Sequence, residues 1–310
     1  MSKTQSQRLA YGEELVALGA ENKDVVALEA DLGKSTMSCL FQQAYPDRYF
    51  EMGISEQDML STAAGLAAAG KIPFCSTFAV FASGRAYDQI RQTISIGRLN
   101  VKICGSSSGL SDFGDGSTHQ AVEDIAIMSA IPNMTVLTPC DAQETRQAVR
   151  AAAEIDGPVY IRVVRNELPD FIKESDSFAV GKHRILKEGS DVAVFSHGSM
   201  VEHAMKAAEL LEKQGISAKV VNVSTMKPFD YEGTEAIAKS VKAVVTAEDH
   251  TFIGGLASAA ALALRKCTTP MDYVAIDDAF GQSANSAVEL MEHYGLTAEN
   301  IAEKAKNLLG

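Results

Sequence analysis

Asp115 and His119 stand four residues apart in Gly114-Asp115-Gly116-Ser117-Thr118-His119-Gln120, where small residues let a backbone approach a ligand beside a helix start. A carboxylate and an imidazole so placed can bind hydroxyls and exchange protons. A solvated turn with a capping Ser or Thr fits the same residues equally well. Glu56 opens an otherwise apolar helix running from Met59 to Ala69. The simpler reading is a surface carboxylate that complements the helix dipole; the chemical one is a buried acid with a raised pKa. Phe74, Phe78 and Phe81 share a strand-like run that ordinarily packs a core and less often stacks on a flat ligand.

Other motifs are weaker. Gly65 to Lys71 has the glycine and lysine spacing of a phosphate loop, but Ile72 replaces the Ser or Thr, and Gly70 reads better as the cap of an Ala-rich helix. No Gly-x-Gly-x-x-Gly follows a strand, so a dinucleotide site has no support. The histidines at 183, 197, 203, 250 and 293 lack metal-ligand spacing, and no metal site is assigned. Glu248-Asp249-His250 reads as a turn cap at a strand end, with an inter-domain or inter-subunit site as the alternative.

The elements that must position these residues alternate between β-branched runs and Ala/Leu-rich helical patterns, the mark of an α/β fold with a sheet flanked by helices. Strands are expected at 25–30, 73–81, 101–104, 134–138 and 158–164, with helices near 8–19, 55–69, 84–96, 118–130 and 141–154. Asp141 with Glu144, and Ser199 with Glu202, have capping-box spacing. A charged, irregular stretch at 167–190 reads as a linker, which puts a domain boundary near Phe178. Residues 1–177 then form the first domain and residues 178–310 a smaller α/β domain. Its strands are expected at 191–196, 218–223, 243–247 and 273–276, and its helices near 201–214, 255–266, 287–293 and 298–309.

At 310 residues and 46% hydrophobic, the chain can bury two cores. Forty acidic against 28 basic residues give a net charge of −12, which argues against nucleic acid as a partner. The five cysteines are scattered and read as reduced thiols, most of them in the core. The first residues lack an apolar signal region, and no long apolar run suits a membrane span. A cytoplasmic protein without membrane contact is the expectation.

Several motifs in order resemble the C-terminal half of transketolase: Ala30-Asp31-Leu32, Tyr45-Pro46-Asp47-Arg48-Tyr49-Phe50, Gly53-Ile54-Ser55-Glu56-Gln57, Ser76-Thr77-Phe78, Asp115-Gly116-Ser117-Thr118-His119-Gln120 and Pro139-Cys140-Asp141. They run from about Arg8 to Arg165, with looser similarity beyond. The resemblance implies a pyrimidine-binding domain followed by the transketolase C-terminal domain, and thiamine diphosphate chemistry. Glu56 then falls on the glutamate that hydrogen-bonds N1′ of the aminopyrimidine and favours its 4′-imino tautomer, whose nitrogen lies near C2 of the thiazolium. Phe81 matches the aromatic that stacks on the pyrimidine, with Phe78 its neighbour and Asp31 and Leu32 beside the cofactor. Asp115 and His119 match groups that bind donor-sugar hydroxyls, His119 also as a proton shuttle. Arg165, Arg8 and Ser35 match phosphate-recognition positions.

The family's diphosphate-binding half carries a Gly-Asp-Gly closed by a later Asn. Here Gly114-Asp115-Gly116 is followed at that distance by Cys140-Asp141-Ala142. The resemblance therefore implies a separate N-terminal subunit that supplies Mg²⁺ and diphosphate binding, and an assembly of two copies of each chain, an α2β2 heterotetramer. Gly105 stands where sugar-phosphate transketolases often carry a histidine. An extra residue lies between Ser111 and Gly114, and the third aromatic is replaced near Ser83 or Gly84. These departures point to an unusual pentulose or branched-sugar phosphate. The alternatives are a 2-oxoacid dehydrogenase β subunit, a deoxyxylulose-phosphate synthase-like chain, and a scaffold subunit without cofactor.

Overall fold

A computed structural model describes residues 4–310. In chain order the strands are β1 (Thr4–Ser6), β2 (Val25–Glu29), β3 (Tyr49–Glu51), β4 (Ile72–Phe78), β5 (Lys102–Ser106), β6 (Thr135–Leu137) and β7 (Val159–Arg162). They continue with β8 (Glu167–Pro169), β9 (Arg184–Lys187), β10 (Val192–Ser196), β11 (Ala218–Asn222), β12 (Thr225–Lys227), β13 (Ala243–Thr251) and β14 (Met271–Ile276). The larger sheet has the order β12-β6-β7-β5-β4-β2-β3 and is parallel except for β12. Helices cover both faces, so central strands such as Val25–Glu29 are buried along their whole length rather than alternating.

From β2 the chain moves outward to β3, then returns to the other side of β2 with β4. That reversal opens a crevice at the carboxyl ends of β2 and β4, where α/β sheets take ligands. The smaller sheet, β14-β13-β10-β11-β9, is parallel except for β9. β1 and β8 form a separate antiparallel pair. The two halves are stitched together: β12 joins the edge of the larger sheet, and one apolar cluster runs from Met59 and Ile90 to Phe195 and Phe229.

Some local expectations change. β4 ends at Phe78, and Phe81 opens a π-helical turn, Phe81–Arg85, followed by another at Gln89–Ser95, in place of one regular helix. The helix expected at 118–130 begins only at Asp124, because Gly109 and Ala121 bridge and hold the preceding residues as a loop. Asp141 caps its helix by accepting from the Glu144 amide. Ser199 does not cap: it is already helical, and its Oγ donates to Asp249. Residues 167–190 contain β8 and β9 rather than an unstructured linker. No described helix is long and apolar enough to cross a membrane.

Candidate active site

The loop after β2 is built around Glu29. Its buried carboxylate accepts from the amides of Ala30 (3.0 Å) and Leu32 (3.3 Å) and from the hydroxyls of Thr36 (2.7 Å) and Ser38. Burial outweighs these bonds and raises its pKa to about 7. The loop so held carries Asp31, Leu32 and Ser35. Asp31 sits at φ 61°, a left-handed conformation that Asp tolerates, and its amide donates to Glu51 Oε1 at 2.8 Å.

Glu56 is the first residue of the helix Glu56–Ala68 and is 1% exposed. The surface reading of this carboxylate is therefore incorrect, since Met59 and Leu60 bury the helix and take Glu56 in with them. Its two oxygens accept from Arg85 Nη1 at 2.9 and 2.8 Å. Arg85, whose side chain is 46% exposed, also lies over the Phe81 ring with Cζ 4.5 Å from the centroid.

Phe78 and Phe81 lie nearly parallel, centroids 6.0 Å apart, and His119 presents its edge to Phe81 at 5.2 Å and to Phe78 at 6.1 Å. Thr118 Oγ1 and His119 Nδ1 are 2.9 Å apart. Residues from the ends of β3 and β4 and from the Gly109–Ala121 loop thus meet as a carboxylate, an aromatic face and an imidazole.

A second cluster lies nearby. Arg165 Nη1 donates to Asp112 Oδ1 at 2.8 Å, and Arg8 Nη1 to the Ser35 carbonyl at 2.6 Å. Burial raises the Asp112 pKa against the opposing pull of Arg165, and the Asp115 charge adds to the rise. Burial and the neighbouring Arg165 lower that of Arg8. Arg8, Arg165, Asp112 and Asp115 therefore share one electrostatic neighbourhood. Arg8 Nε and Asp112 Oδ2 are buried without a hydrogen-bond partner among the described residues, and such atoms are costly unless something completes them.

Sequence reasoning missed Arg85, Asp112 and Glu29. For Asp112 the one available signal was the extra residue beside it. The glycine at 105 has a packing reason: a Cβ there would meet Tyr160 Oη at 2.2 Å, and that hydroxyl is committed to Asp124 at 2.8 Å. Among the described residues no group of three or more His, Cys, Asp or Glu is arranged to hold a metal ion.

Residues 3–170 match the family model for the transketolase pyrimidine binding domain, and residues 181–301 that for the transketolase C-terminal domain. A putative transketolase C-terminal section of Methanocaldococcus jannaschii is 43% identical over 302 residues, covering 96% of this chain and 94% of that one. A 6-deoxy-6-sulfo-D-fructose transketolase subunit of a Clostridium species is 42% identical over 96% of this chain and 92% of its own length. A solved structure described as a split gene transketolase, inactive beta4 tetramer, superposes with a TM-score of 0.89 at 44% identity and 99% coverage of both chains.

Proposed function

With both halves of its sequence matched by transketolase domains, the chain belongs to the transketolase family, and we propose that it is the pyrimidine-binding subunit of a two-chain enzyme. That enzyme transfers a two-carbon ketol unit from a ketose phosphate, or a specialised sugar close to one, to an aldose phosphate. Similarity to a sulfofructose transketolase subunit supports a specialised sugar. Similarity to an inactive tetramer of a split-gene chain supports a need for the N-terminal partner. The proposed partner carries the Gly-Asp-Gly to Asn motif, holds Mg²⁺ and the diphosphate, and forms an α2β2 heterotetramer in the cytoplasm.

The residues fit the pyrimidine end of thiamine diphosphate. A buried carboxylate and an aromatic face are bridged by one half-exposed guanidinium, and a planar heterocycle with ring nitrogens can replace it at both. When bound, this cofactor supplies the electron sink for a carbanion beside a carbonyl. Glu56 holds the proton at N1′ and so selects the tautomer, and low exposure keeps water from competing. Phe81, with Phe78 stacked behind it, would offer the face for the ring, and Asp31 and Leu32 would stand beside the cofactor. His119 and Asp115 bind donor hydroxyls, with His119 able to pass a proton at one of them. Arg8, Arg165 and Ser35 take the anionic tail, for which forked guanidinium bonds are suited, and the Ser35 carbonyl orients Arg8 by accepting from its Nη1.

The observation that carries this reading is Glu56, 1% exposed and paired with the Arg85 guanidinium that lies over Phe81, the ring His119 meets edge-on. Mixing the chain with its partner, thiamine diphosphate and Mg²⁺ is expected to give ketol transfer from xylulose 5-phosphate or a related donor, with neither chain active alone. Pyruvate decarboxylation without ketol transfer would instead assign the chain to the 2-oxoacid dehydrogenases.

A further inference from the structure

We infer that Asp249, in the C-terminal domain, is a positioning residue for the Gly109–Ala121 loop that carries Asp115 and His119. The inference rests on the reading of those two residues as substrate groups.

The neck of the loop is pinned from within the first domain. Gly109 donates to the Ala121 carbonyl at 3.0 Å, closing the loop, and Arg162 Nη2 reaches the same carbonyl at 3.4 Å. Arg162 lies on β7, and its Nε contacts both oxygens of Asp124, at 3.1 and 3.0 Å, just beyond the loop. From the other domain, Asp249 Oδ1 takes Arg162 Nη1 at 2.6 Å and its carbonyl takes Nη2 at 3.1 Å. Asp249 Oδ2 accepts from Ser199 Oγ at 3.0 Å.

Asp249 also presses on the neck directly. Gly109 has φ 59°, and a Cβ there would fall 2.2 Å from Asp249 Oδ2, so the carboxylate and the glycine are in close contact. Two neighbouring contacts act in the same sense: the Ala126 amide donates to His250 Nε2 at 3.3 Å, and Gln120 Nε2 donates to the Gln282 carbonyl at 3.0 Å. Burial opposes ionisation of Asp249, but Arg162 and His197 overcome it and hold the carboxyl below the usual range.

Cohesion of the two domains does not require this network, since the apolar cluster and β12 already join them. Side chains of Arg162, Asp124 and Asp249 are at most 2% exposed, and such buried ion pairs add little net stability while fixing an arrangement in space. What they fix here is the base of the loop that must present His119 to the aromatic pair. A displacement of about 1 Å at a reacting group can cost about 100-fold in rate.

The test compares hydrogen exchange in the full chain and kinetics in the pair. Asp249→Asn keeps the shape and removes the charge. Amides of residues 113–121 are expected to exchange about tenfold faster, with those of the helix Glu56–Ala68 changed less than about twofold. In the reconstituted pair, kcat/KM for xylulose 5-phosphate is expected to fall about 10- to 100-fold while thiamine diphosphate affinity stays within about twofold. Ser199→Ala keeps every charge and should loosen the same amides by a smaller factor. Unchanged loop exchange in Asp249→Asn, or equal loosening everywhere, overturns the inference. Should Asp249→Asn not fold, wild-type exchange in Ser199→Ala overturns it. An inactive wild-type pair would sink the functional reading alone, because the exchange measurement decides the loop's support separately.

Discussion

Arg85 decides how the free site behaves. Its guanidinium occupies both surfaces that a pyrimidine would use, the Glu56 carboxylate and the Phe81 face. Because Arg85 is half exposed, solvent screens the pair, and it is worth about 0–1 kcal/mol. Arg85→Met is therefore expected to tighten thiamine diphosphate binding by the assembled pair up to about fivefold, measured by titration calorimetry. Weaker binding would mean that Arg85 helps to hold the cofactor. The chemistry-bearing residue types were legible in the sequence, but their pairing was not. Glu56 and Arg85 are 29 residues apart in the chain, and no local pattern encodes the contact. The burial of Glu56 was only one of two readings open in the sequence, because it depends on what packs over the helix as well as on the helix's own apolar face.

At the level of elements, Glu29 turns the end of β2 into a rigid loop. Its pKa is raised from 4.5 to about 7, so the folded chain binds that proton more tightly than the unfolded one. The associated stability is complete below about pH 4.5 and is lost as pH rises through about 7, a change of roughly 3 kcal/mol. Urea unfolding of wild type and Glu29→Gln at pH 5 and pH 8 should show the wild type losing up to about that much relative to the variant. A constant difference, or one of opposite sign, would contradict the buried-acid description. The main parallel strands followed from the sequence because they are continuous apolar runs, whereas the short β1, β3, β8, β9 and β12 carry no such run and were not legible. Phe81 was misplaced in a strand, although it follows Phe78 by three, an odd interval that would put the two rings on opposite faces of a strand. The π-helical turn explains the misfit, since it swings Phe81 out of the sheet plane toward Glu56's partner.

For the whole molecule, the two sheets are expected to unfold together. Phe195 on β10 is fully buried in the cluster that also contains Met59 and Ile90, so Phe195→Ala should cost about 3–5 kcal/mol and lower one shared calorimetric transition. Two separate transitions would contradict that coupling. The alternation of strands and helices predicted two α/β layers, but not their joining. An arginine inside the apolar run 158–164 was the available hint that a distant carboxylate must meet it, and Asp249 lies 87 residues away. Ketol transfer by this enzyme depends, as proposed, on Glu56 acting on the pyrimidine ring. The most direct measurement is ketol transfer by the reconstituted pair with Glu56→Gln, an isosteric change that removes the charge. Turnover is predicted to fall about 10²- to 10⁴-fold while the chain still assembles with its partner. Turnover equal to that of the wild type would contradict the account.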